Sequence, residues 1–178
     1  MKLLVVVDMQ NDFIDGALGS AEAQAIVDRV ASKIRQHDGM IAVTHDTHEP
    51  EYLTTQEGKH LPVVHCVKDT EGWRLNQKIF DVLNEKFVDG TSVDVFFKPT
   101  FGCTEMAELD IPLVDEIELV GLCTDICVIS NAMLMKAYHP EIPIAVDASC
   151  CAGVTPESHA NALRAMRMCQ IKINNWEE

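Results

Sequence analysis

The chain has half as many basic residues as acidic ones, and it has no apolar run long enough to span a membrane. Its 14 lysines and arginines stand against 28 aspartates and glutamates, which gives a formal charge of −14 at pH 7. Such a surface repels nucleic acid and anionic lipid. The apolar runs stop at strand length, whereas a membrane helix needs about 20 residues. We therefore expect neither a nucleic-acid partner nor a membrane partner.

We also expect neither a secretion signal nor a structural zinc framework. The first apolar run, residues 3–7, meets Asp8 too early to be a signal peptide. The cysteines number seven, which is odd, and none of them forms the paired CxxC spacing of a structural zinc site. We therefore expect a cytoplasmic protein, in a reducing compartment where the cysteines stay thiols.

Strand-like apolar runs alternate with helix-period patterns along the chain. The near-continuous apolar character of the strands indicates that both faces of the sheet are covered. This pattern is typical of a doubly wound, mostly parallel Rossmann-like α/β sheet, with an antiparallel α+β domain as the alternative. At this length we expect a single domain over residues 1–178. Strands are predicted at 3–7, 40–44, 93–97, 117–121, 142–146 and 171–173, and helices at 22–37, 74–85, 124–138 and 156–169.

Three of the predicted strands are followed by a side chain with useful chemistry. Asp8 follows the first strand, Lys98 follows the third, and Cys127 comes soon after the fourth. Ligands of open parallel sheets bind at the carboxyl ends of the strands, near the point where strand order reverses. We therefore expect the three side chains at one crevice. Each alone also has a structural interpretation, as a helix cap, a solvated lysine or a small buried thiol.

A connection of about thirty residues follows the second strand, and loops this long in compact domains are usually functional. Asp46 and His48 are two residues apart, so in extended backbone both project to one side. Two histidines and a carboxylate suit Zn²⁺ or Fe²⁺. The alternative is a polar loop with scattered histidines, of which His45 is interpreted as a surface residue. The candidate ligands along it are Asp46, His48, Glu57, His60 and His65.

Taken together, these segments resemble the isochorismatase-like cysteine hydrolases and, among them, the nicotinamidases. The resemblance rests on VVVDMQNDF (5–13), on HDTH and EGKHLPVVHC in the long loop, on FKPTFGC (97–103) and on GLCTDICV (121–128). It implies the isochorismatase-like α/β fold and a metal-dependent amidase that hydrolyses nicotinamide in NAD salvage. Members are commonly oligomers, so we expect a homo-oligomer.

The resemblance also implies catalytic roles. Cys127 is the expected nucleophile, Asp8 the proton carrier and Lys98 their electrostatic partner. We expect the helix macrodipole and Lys98 to favour the Cys127 thiolate. The backbone N–H groups of Cys123 and Cys127 are the expected oxyanion hole, with a cis peptide bond between Leu122 and Cys123.

For the metal, the resemblance implies Asp46, His48 and His65 as ligands of an ion that binds the pyridine nitrogen. Zn²⁺ is the expected ion, with Fe²⁺ or Mn²⁺ as alternatives. Glu57 corresponds to a fourth ligand of some members, and His60 is the substitute if Glu57 does not reach the ion.

Substrate identity is less determined than reaction type. Phe13 and Leu61 are the expected walls of the substrate site, and Leu61 stands where the family has an aromatic residue. Trp73 is interpreted either as a cover for the site or as an anchor for the next helix. The alternatives are a cysteine amidohydrolase for another small carboxamide or carbamoyl compound, and a non-catalytic ligand-binding relative. Vinyl-ether cleavage, as in an isochorismatase, does not call for a thiol nucleophile.

A second site can be assembled on paper from Asp147, His159 and the Cys150–Cys151 pair. Adjacent cysteines project to opposite sides of the backbone, so they are poor joint ligands. We interpret these residues as caps and packing residues.

Overall fold

The computed structural model describes residues 1–177, and residue 178 of the predicted domain lies outside the described residues. Six strands form one sheet in the order β3-β2-β1-β4-β5-β6, and every neighbouring pair is parallel. The doubly wound prediction is confirmed, and the antiparallel alternative is wrong. The strands are β1 (Lys2–Val7), β2 (Gly39–Asp46), β3 (Val93–Lys98), β4 (Glu116–Leu122), β5 (Ile144–Ala152) and β6 (Lys172–Asn174).

Helices pack on both faces of the sheet. One apolar cluster joins the sheet to α2 and α4, and the other joins it to α5, α6 and α7. The helices are α1 (Asn11–Ile14), α2 (Ala21–Gln36), α3 (Gln56–His60), α4 (Gln77–Val88), α5 (Thr104–Ala107), α6 (Ile129–Tyr138) and α7 (Pro156–Met168). A 3₁₀ turn at Tyr52–Thr54 precedes α3, and a π-helical turn at Thr124–Val128 leads into α6. Among the described helices, none is long and apolar enough to cross a membrane.

Local sequence signals explain where two of the long helices begin. The Ser20 hydroxyl accepts a hydrogen bond from the Ala23 N–H at 3.0 Å, so Ser20 caps α2. Thr155 caps α7 in a reciprocal arrangement with Ser158, and Pro156 occupies the first turn. These helices were predicted to begin at residues 22 and 156, and they begin at Ala21 and Pro156.

The position of β1 determines where the functional site lies. Its side chains alternate between the two apolar clusters, which is why its sequence is apolar without interruption. β2 lies on one side of β1 and β4 on the other, so strand order reverses between β1 and β4. The carboxyl ends of these strands therefore open the crevice at which ligands bind in such sheets.

The fifth strand differs from the prediction. β5 continues to Ala152 instead of ending at residue 146, so Asp147 lies within the strand. Its carboxylate is 2.6 Å from the Lys33 ammonium, which gives it a packing partner. Cys150 and Cys151 belong to opposite apolar clusters, as their adjacency predicts.

Candidate active site

The Lys98 ammonium lies at the centre of the candidate site, at the end of β3. Its Nζ is 2.7 Å from Asp8 Oδ2 and 3.5 Å from Cys127 Sγ. All three side chains are buried. The parallel sheet thus brings together the acid, the ammonium and the thiol that follow three different strands.

Thr44, on the neighbouring strand β2, holds Asp8 in place. The Thr44 hydroxyl donates to Asp8 Oδ1 at 2.7 Å, and the Asp8 N–H donates to the Thr44 carbonyl at 3.2 Å. Asp8 has a positive φ of 47°, which is uncommon for a residue other than glycine. Thr44 therefore fixes one carboxylate oxygen and leaves the other directed at Lys98.

Cys127 is positioned by the π-helical turn and by a buried amide. The Val128 N–H donates to the Cys123 carbonyl five residues earlier, at 3.0 Å. Asn131 Nδ2 donates to the Cys127 carbonyl at 2.8 Å, and Asn131 Oδ1 accepts from the Cys103 N–H at 2.9 Å. Asn131, which the sequence analysis did not select, therefore connects Cys127 to the segment after β3.

The peptide bond between Leu122 and Cys123 is cis, as the resemblance predicts. Cys123 and Cys127 line the same cavity, and the Cys123 side chain is only partly exposed. The role of their N–H groups as an oxyanion hole stays a prediction.

Opposing effects act on the pKa of the Cys127 thiol. Burial, and next the Asp8 carboxylate, raise the pKa of Cys127 well above that of an ordinary thiol. Lys98 lowers this pKa, as expected, but the loss of solvation outweighs its attraction. Asp8 and Cys127 both contact the Lys98 ammonium, so Asp8 is the candidate acceptor for the thiol proton.

Lys98 stays charged despite its burial. Burial alone would lower the pKa of Lys98, but the Asp8 carboxylate, Cys127 and Asp46 raise it instead. Burial raises the pKa of Asp8, and Lys98 opposes that shift. Lys98 Nζ and Asp8 Oδ2, 2.7 Å apart, are at ion-pair distance beside the Cys127 sulfur.

A second cluster lies beside the first. Asp46, His48 and His65 are buried and each offers a ligand atom, and these atoms lie within 4.8 Å of one another. The Nε2 atoms of His48 and His65 are 3.0 and 3.6 Å from Asp46 Oδ2. The structure therefore brings together the three predicted metal ligands, a donor set that suits Zn²⁺ or Fe²⁺.

Two features of the histidines fit a metal ion. His65 Nδ1 is 2.8 Å from the Val63 carbonyl, so Nδ1 carries the hydrogen and Nε2 offers its lone pair to the cluster. His48 Nε2 is buried and makes no hydrogen bond within the described chain, although it lies 3.0 Å from Asp46 Oδ2. A buried nitrogen without a partner is costly, and a bound cation would satisfy it.

The candidates for a fourth ligand differ in position. Glu57 Oε1 is 3.6 Å from His48 Nε2 and 3.9 Å from His65 Nε2. His60 is exposed, and its Nδ1 is 2.9 Å from the Gln56 carbonyl of its own helix. Glu57 therefore borders the cluster, whereas His60 is engaged elsewhere.

Asp46 joins the two clusters through its two carboxylate oxygens. Oδ1 is 3.1 Å from Lys98 Nζ, while Oδ2 faces the histidines. The buried Gln10 side chain holds the Asp46 backbone, donating to its carbonyl and accepting from its N–H, each at 2.8 Å. The sequence analysis did not select Gln10, which lies within the DMQNDF segment.

A cavity of about 300 Å³ opens onto both clusters, and Cys127 and Asp46 line it. The predicted walls Phe13 and Leu61 also line it, with the Phe13 and His65 rings edge to face at 5.5 Å. Phe101 and Val154 are further walls that sequence reasoning did not select. Phe101 lies within FKPTFGC, so a signal for it was present.

His45 and Trp73 line a groove that is separate from the active-site cavity. His45 is buried rather than on the surface, so that interpretation is wrong, and its Nε2 is 2.8 Å from the Trp73 carbonyl. The Trp73 indole donates to Thr47 Oγ1 at 2.9 Å and stacks on Phe97. Trp73 does not line the active-site cavity, so it anchors the chain before α4.

Comparison with known proteins places the chain in a family. A model of the isochorismatase domain matches residues 2–178. The chain belongs to the isochorismatase family. The isochorismatase family protein PncA of Bacillus subtilis (strain 168) is 30% identical over 173 residues, which cover 91% of this chain and 92% of that protein. The nicotinamidase/pyrazinamidase of Mycobacterium tuberculosis is 28% identical over 195 residues, with coverages of 97% and 98%.

Solved structures of the family share the architecture. The crystal structure of nicotinamidase/pyrazinamidase PncA from Bacillus subtilis matches with a TM-score of 0.83 at 25% identity, covering 98% of this chain and 99% of that one. The pyrazinamidase of Pyrococcus horikoshii, solved in complex with zinc, has a TM-score of 0.76 at 23% identity and covers 98% and 99%. At that identity the second similarity is one of fold.

Proposed function

We propose that this protein is a metal-dependent amidase that hydrolyses nicotinamide to nicotinic acid and ammonia, serving NAD salvage in the cytoplasm. One observation carries the proposal. The Lys98 ammonium contacts Asp8 and Cys127 on one side and Asp46 of the Asp-His-His cluster on the other. A nucleophile with its proton acceptor thus lies next to a candidate ion site, on the wall of one cavity. The cysteines are all free thiols, in keeping with a reducing compartment.

The ion would be held by Asp46, His48 and His65, with Glu57 beside them. When bound, it would offer an open coordination position to the ring nitrogen of a pyridine carboxamide and so orient the ring. Zn²⁺ is the ion we propose, with Fe²⁺ or Mn²⁺ as alternatives, because two imidazoles and a carboxylate suit all three. Phe13 and Leu61 would flank the ring.

The first half of the reaction forms a thioester. Asp8 accepts the Cys127 proton as the sulfur attacks the amide carbon, so the buried thiol becomes a nucleophile only as it reacts. Lys98 stabilises the resulting negative charge, and the N–H groups of Cys123 and Cys127 would receive the oxyanion. Asp8 then gives its proton to the departing nitrogen, which leaves as ammonia.

The second half releases the acid. Water enters where ammonia left, and Asp8 removes a proton from it as its oxygen attacks the thioester carbon. The carbon–sulfur bond breaks, the proton returns to Cys127, and nicotinic acid leaves. Lys98 keeps its charge throughout, because two carboxylates raise its pKa.

The test is ammonia release from a panel of small amides, with and without a chelator. Nicotinamide should be turned over, and chelation should suppress that turnover. Benzamide has the same shape but no ring nitrogen, so its turnover should be low. A carbamoyl compound that surpasses nicotinamide would reassign the substrate, and an enzyme that releases ammonia from no amide would contradict the proposal.

The nucleophile is tested by Cys127→Ala. The variant should lose turnover while keeping its thermal midpoint and its binding of nicotinamide, because only the attacking atom is removed. Cys169→Ala is the matched control, since Cys169 is exposed at the end of α7. Turnover that survives in the Cys127 variant would mean that the nucleophile is misassigned.

A further inference from the structure

The two edges of the sheet are protected to different degrees. At one edge, β6 has three residues, and the Trp176 ring near it is covered by the guanidinium groups of Arg164 and Arg167. At the other edge, β3 has six residues and pairs with β2 without a register shift. Its outer side has no partner strand within the described chain. Long, regular, apolar edges of this kind are templates for pairing with another chain.

The exposed side of β3 is apolar and borders a groove. Val95 and Phe97 point to the sheet face that carries α4, and they are 47% and 55% exposed. Phe80 and Phe87, seven residues apart on one face of α4, are 52% and 64% exposed. These side chains line a groove of about 590 Å³, separate from the active-site cavity. Exposed apolar surface of this extent marks an interaction site.

The backbone of β3 is available for pairing. The carbonyls of Ser92 and Lys98 accept hydrogen bonds from N–H groups of β2 and of the residue that follows it. The hydrogen-bonding direction alternates along a strand, so Val93, Val95 and Phe97 direct their N–H and C=O groups away from the sheet. These three residues can therefore form backbone hydrogen bonds with a further strand.

We propose that a second copy of this chain covers this edge, with its β3 antiparallel to the first about a two-fold axis at Val95. In this register Val95 lies opposite the partner's Val95, and Val93 lies opposite the partner's Phe97. All three outward positions then pair in each copy, and the two six-stranded sheets become one sheet. Asp94 lies opposite the partner's Phe96 rather than the partner's Asp94, so two like charges do not face each other.

The size and charge of the surface fit this occupant. With aromatic side-chain areas of roughly 200 Å², the three phenylalanines at these exposures present roughly 340 Å² per copy. The valines, the strand backbone and the second copy bring the total to about the 1,000 Å² that a specific interface needs. No acidic residue lines the groove, so two chains of charge −14 can meet there without carboxylates of the two groove linings facing each other.

Sedimentation velocity of the metal-loaded protein tests the proposal. The wild type should sediment as a dimer, while Val95→Lys and Val95→Asp should each be monomeric, because each places like charges at the axis. Mixing the two variants should restore a dimer through opposite charges. Met168→Lys is the matched control, because Met168 is 84% exposed at the end of α7 and should leave the dimer intact.

A cross-link covers the case in which a charged variant does not fold. In a Cys169→Ser background, Val95→Cys should give a disulfide-linked dimer on mild oxidation. Facing residues of a hydrogen-bonded antiparallel pair are about 5.5 Å apart at Cα, within the range of a disulfide. A monomeric wild type, a dimer that tolerates both charged variants, or no cross-link would each overturn the proposal.

Discussion

One residue, Lys98, supplies the single ammonium that two buried carboxylates share. Its Nζ is 2.7 Å from Asp8 and 3.1 Å from Asp46. One positive charge against two negative charges leaves the pocket with an excess of negative charge in a place where solvation is lost. Such an excess is costly unless another cation compensates it. The position of Asp46 between Lys98 and the histidines is therefore consistent with a bound divalent ion.

Replacing Lys98 should damage stability as well as activity. Lys98→Met leaves Asp8 and Asp46 buried without their ammonium, and losing one partner of a buried ion pair costs about 3–5 kcal/mol. Urea unfolding at pH 7 measures this loss. Lys2→Met is the control, because Lys2 pairs with Glu116 at the surface and its loss should change stability far less.

The same variant has a predictable pH dependence. Burial already raises the pKa of Asp8, and removing the opposing Lys98 raises it further. A carboxyl group whose pKa is higher in the folded state than in the unfolded state binds its proton more tightly in the folded state. The stability of the folded state therefore falls as the pH rises above the pKa that the group has in the unfolded state. The deficit of Lys98→Met should therefore shrink from pH 8 toward pH 5. A deficit independent of pH would mean that the carboxylates are not what the variant leaves unpaired.

For single residues, the sequence indicates which side chains come together. It does not reveal their protonation states or the neighbouring residues that hold them in place. Asp8, Lys98 and Cys127 follow strands that any parallel sheet would align. The state of the Cys127 thiol depends on burial in three dimensions, which no local pattern carries. Gln10 and Asn131 act through hydrogen bonds of their side-chain amides. In the sequence alone they cannot be told from other polar residues, because the partners of these bonds are not visible there.

At the scale of elements, the connection between β2 and α4 carries three of the four residues at the candidate metal site, namely His48, Glu57 and His65. The fourth, Asp46, ends β2. His48→Ala should lower the content of bound metal and raise KM for nicotinamide, because the ion is proposed to orient the ring. Metal analysis after dialysis and steady-state kinetics measure both effects. His60→Ala is the matched control, since His60 lies in the same connection but bonds only within α3. An unchanged metal content in His48→Ala would refute the ligand assignment.

The end of β4 depends on a glycine for its close approach to β1. Gly121 has a φ of 119°, and a Cβ there would lie 2.1 Å from the Val7 carbonyl oxygen. Gly90 also has a positive φ, 89°, but a Cβ there would meet no atom within 4 Å. Gly90→Ala should therefore cost about 1–2 kcal/mol through backbone strain alone. Gly121→Ala should lose about 1–3 kcal/mol more because the strands must separate.

Urea unfolding of both glycine variants provides the comparison. Gly121→Ala should also lower turnover, because the strand leads directly to Cys123. Equal losses of stability in the two variants would show that the approach of β4 to β1 is not what the glycine permits.

The sequence predicts the long elements well because their apolar periodicity is strong. The short helices Asn11–Ile14, Gln56–His60 and Thr104–Ala107 were not predicted, since one turn is too short to show a helical period. β5 was predicted to end at residue 146, because a carboxylate follows it. It continues past Asp147 because Lys33 neutralises that carboxylate. Such tertiary compensation is invisible in one segment.

For the whole molecule, the charge of −14 bears on the proposed reaction because the reaction changes the charge of its ligand. The proposed substrate is a neutral amide, whereas the proposed product is a carboxylate anion. A strongly negative surface creates a potential that repels anions and leaves neutral molecules unaffected. The field of the protein therefore favours release of the product without weakening binding of the substrate.

Added salt should weaken this repulsion and strengthen product inhibition. Between about 20 mM and about 300 mM salt the Debye length falls severalfold, so the inhibition constant of nicotinate should fall at least about twofold. A neutral ring of similar size, 3-methylpyridine, is the matched ligand, and its inhibition constant should not change. Contacts of the carboxylate with Lys98 or a bound ion are too short to be screened, so the salt dependence reports the distant charges. A nicotinate constant that is unchanged by salt, or that rises with it, would show that repulsion by the distant charges does not govern product binding.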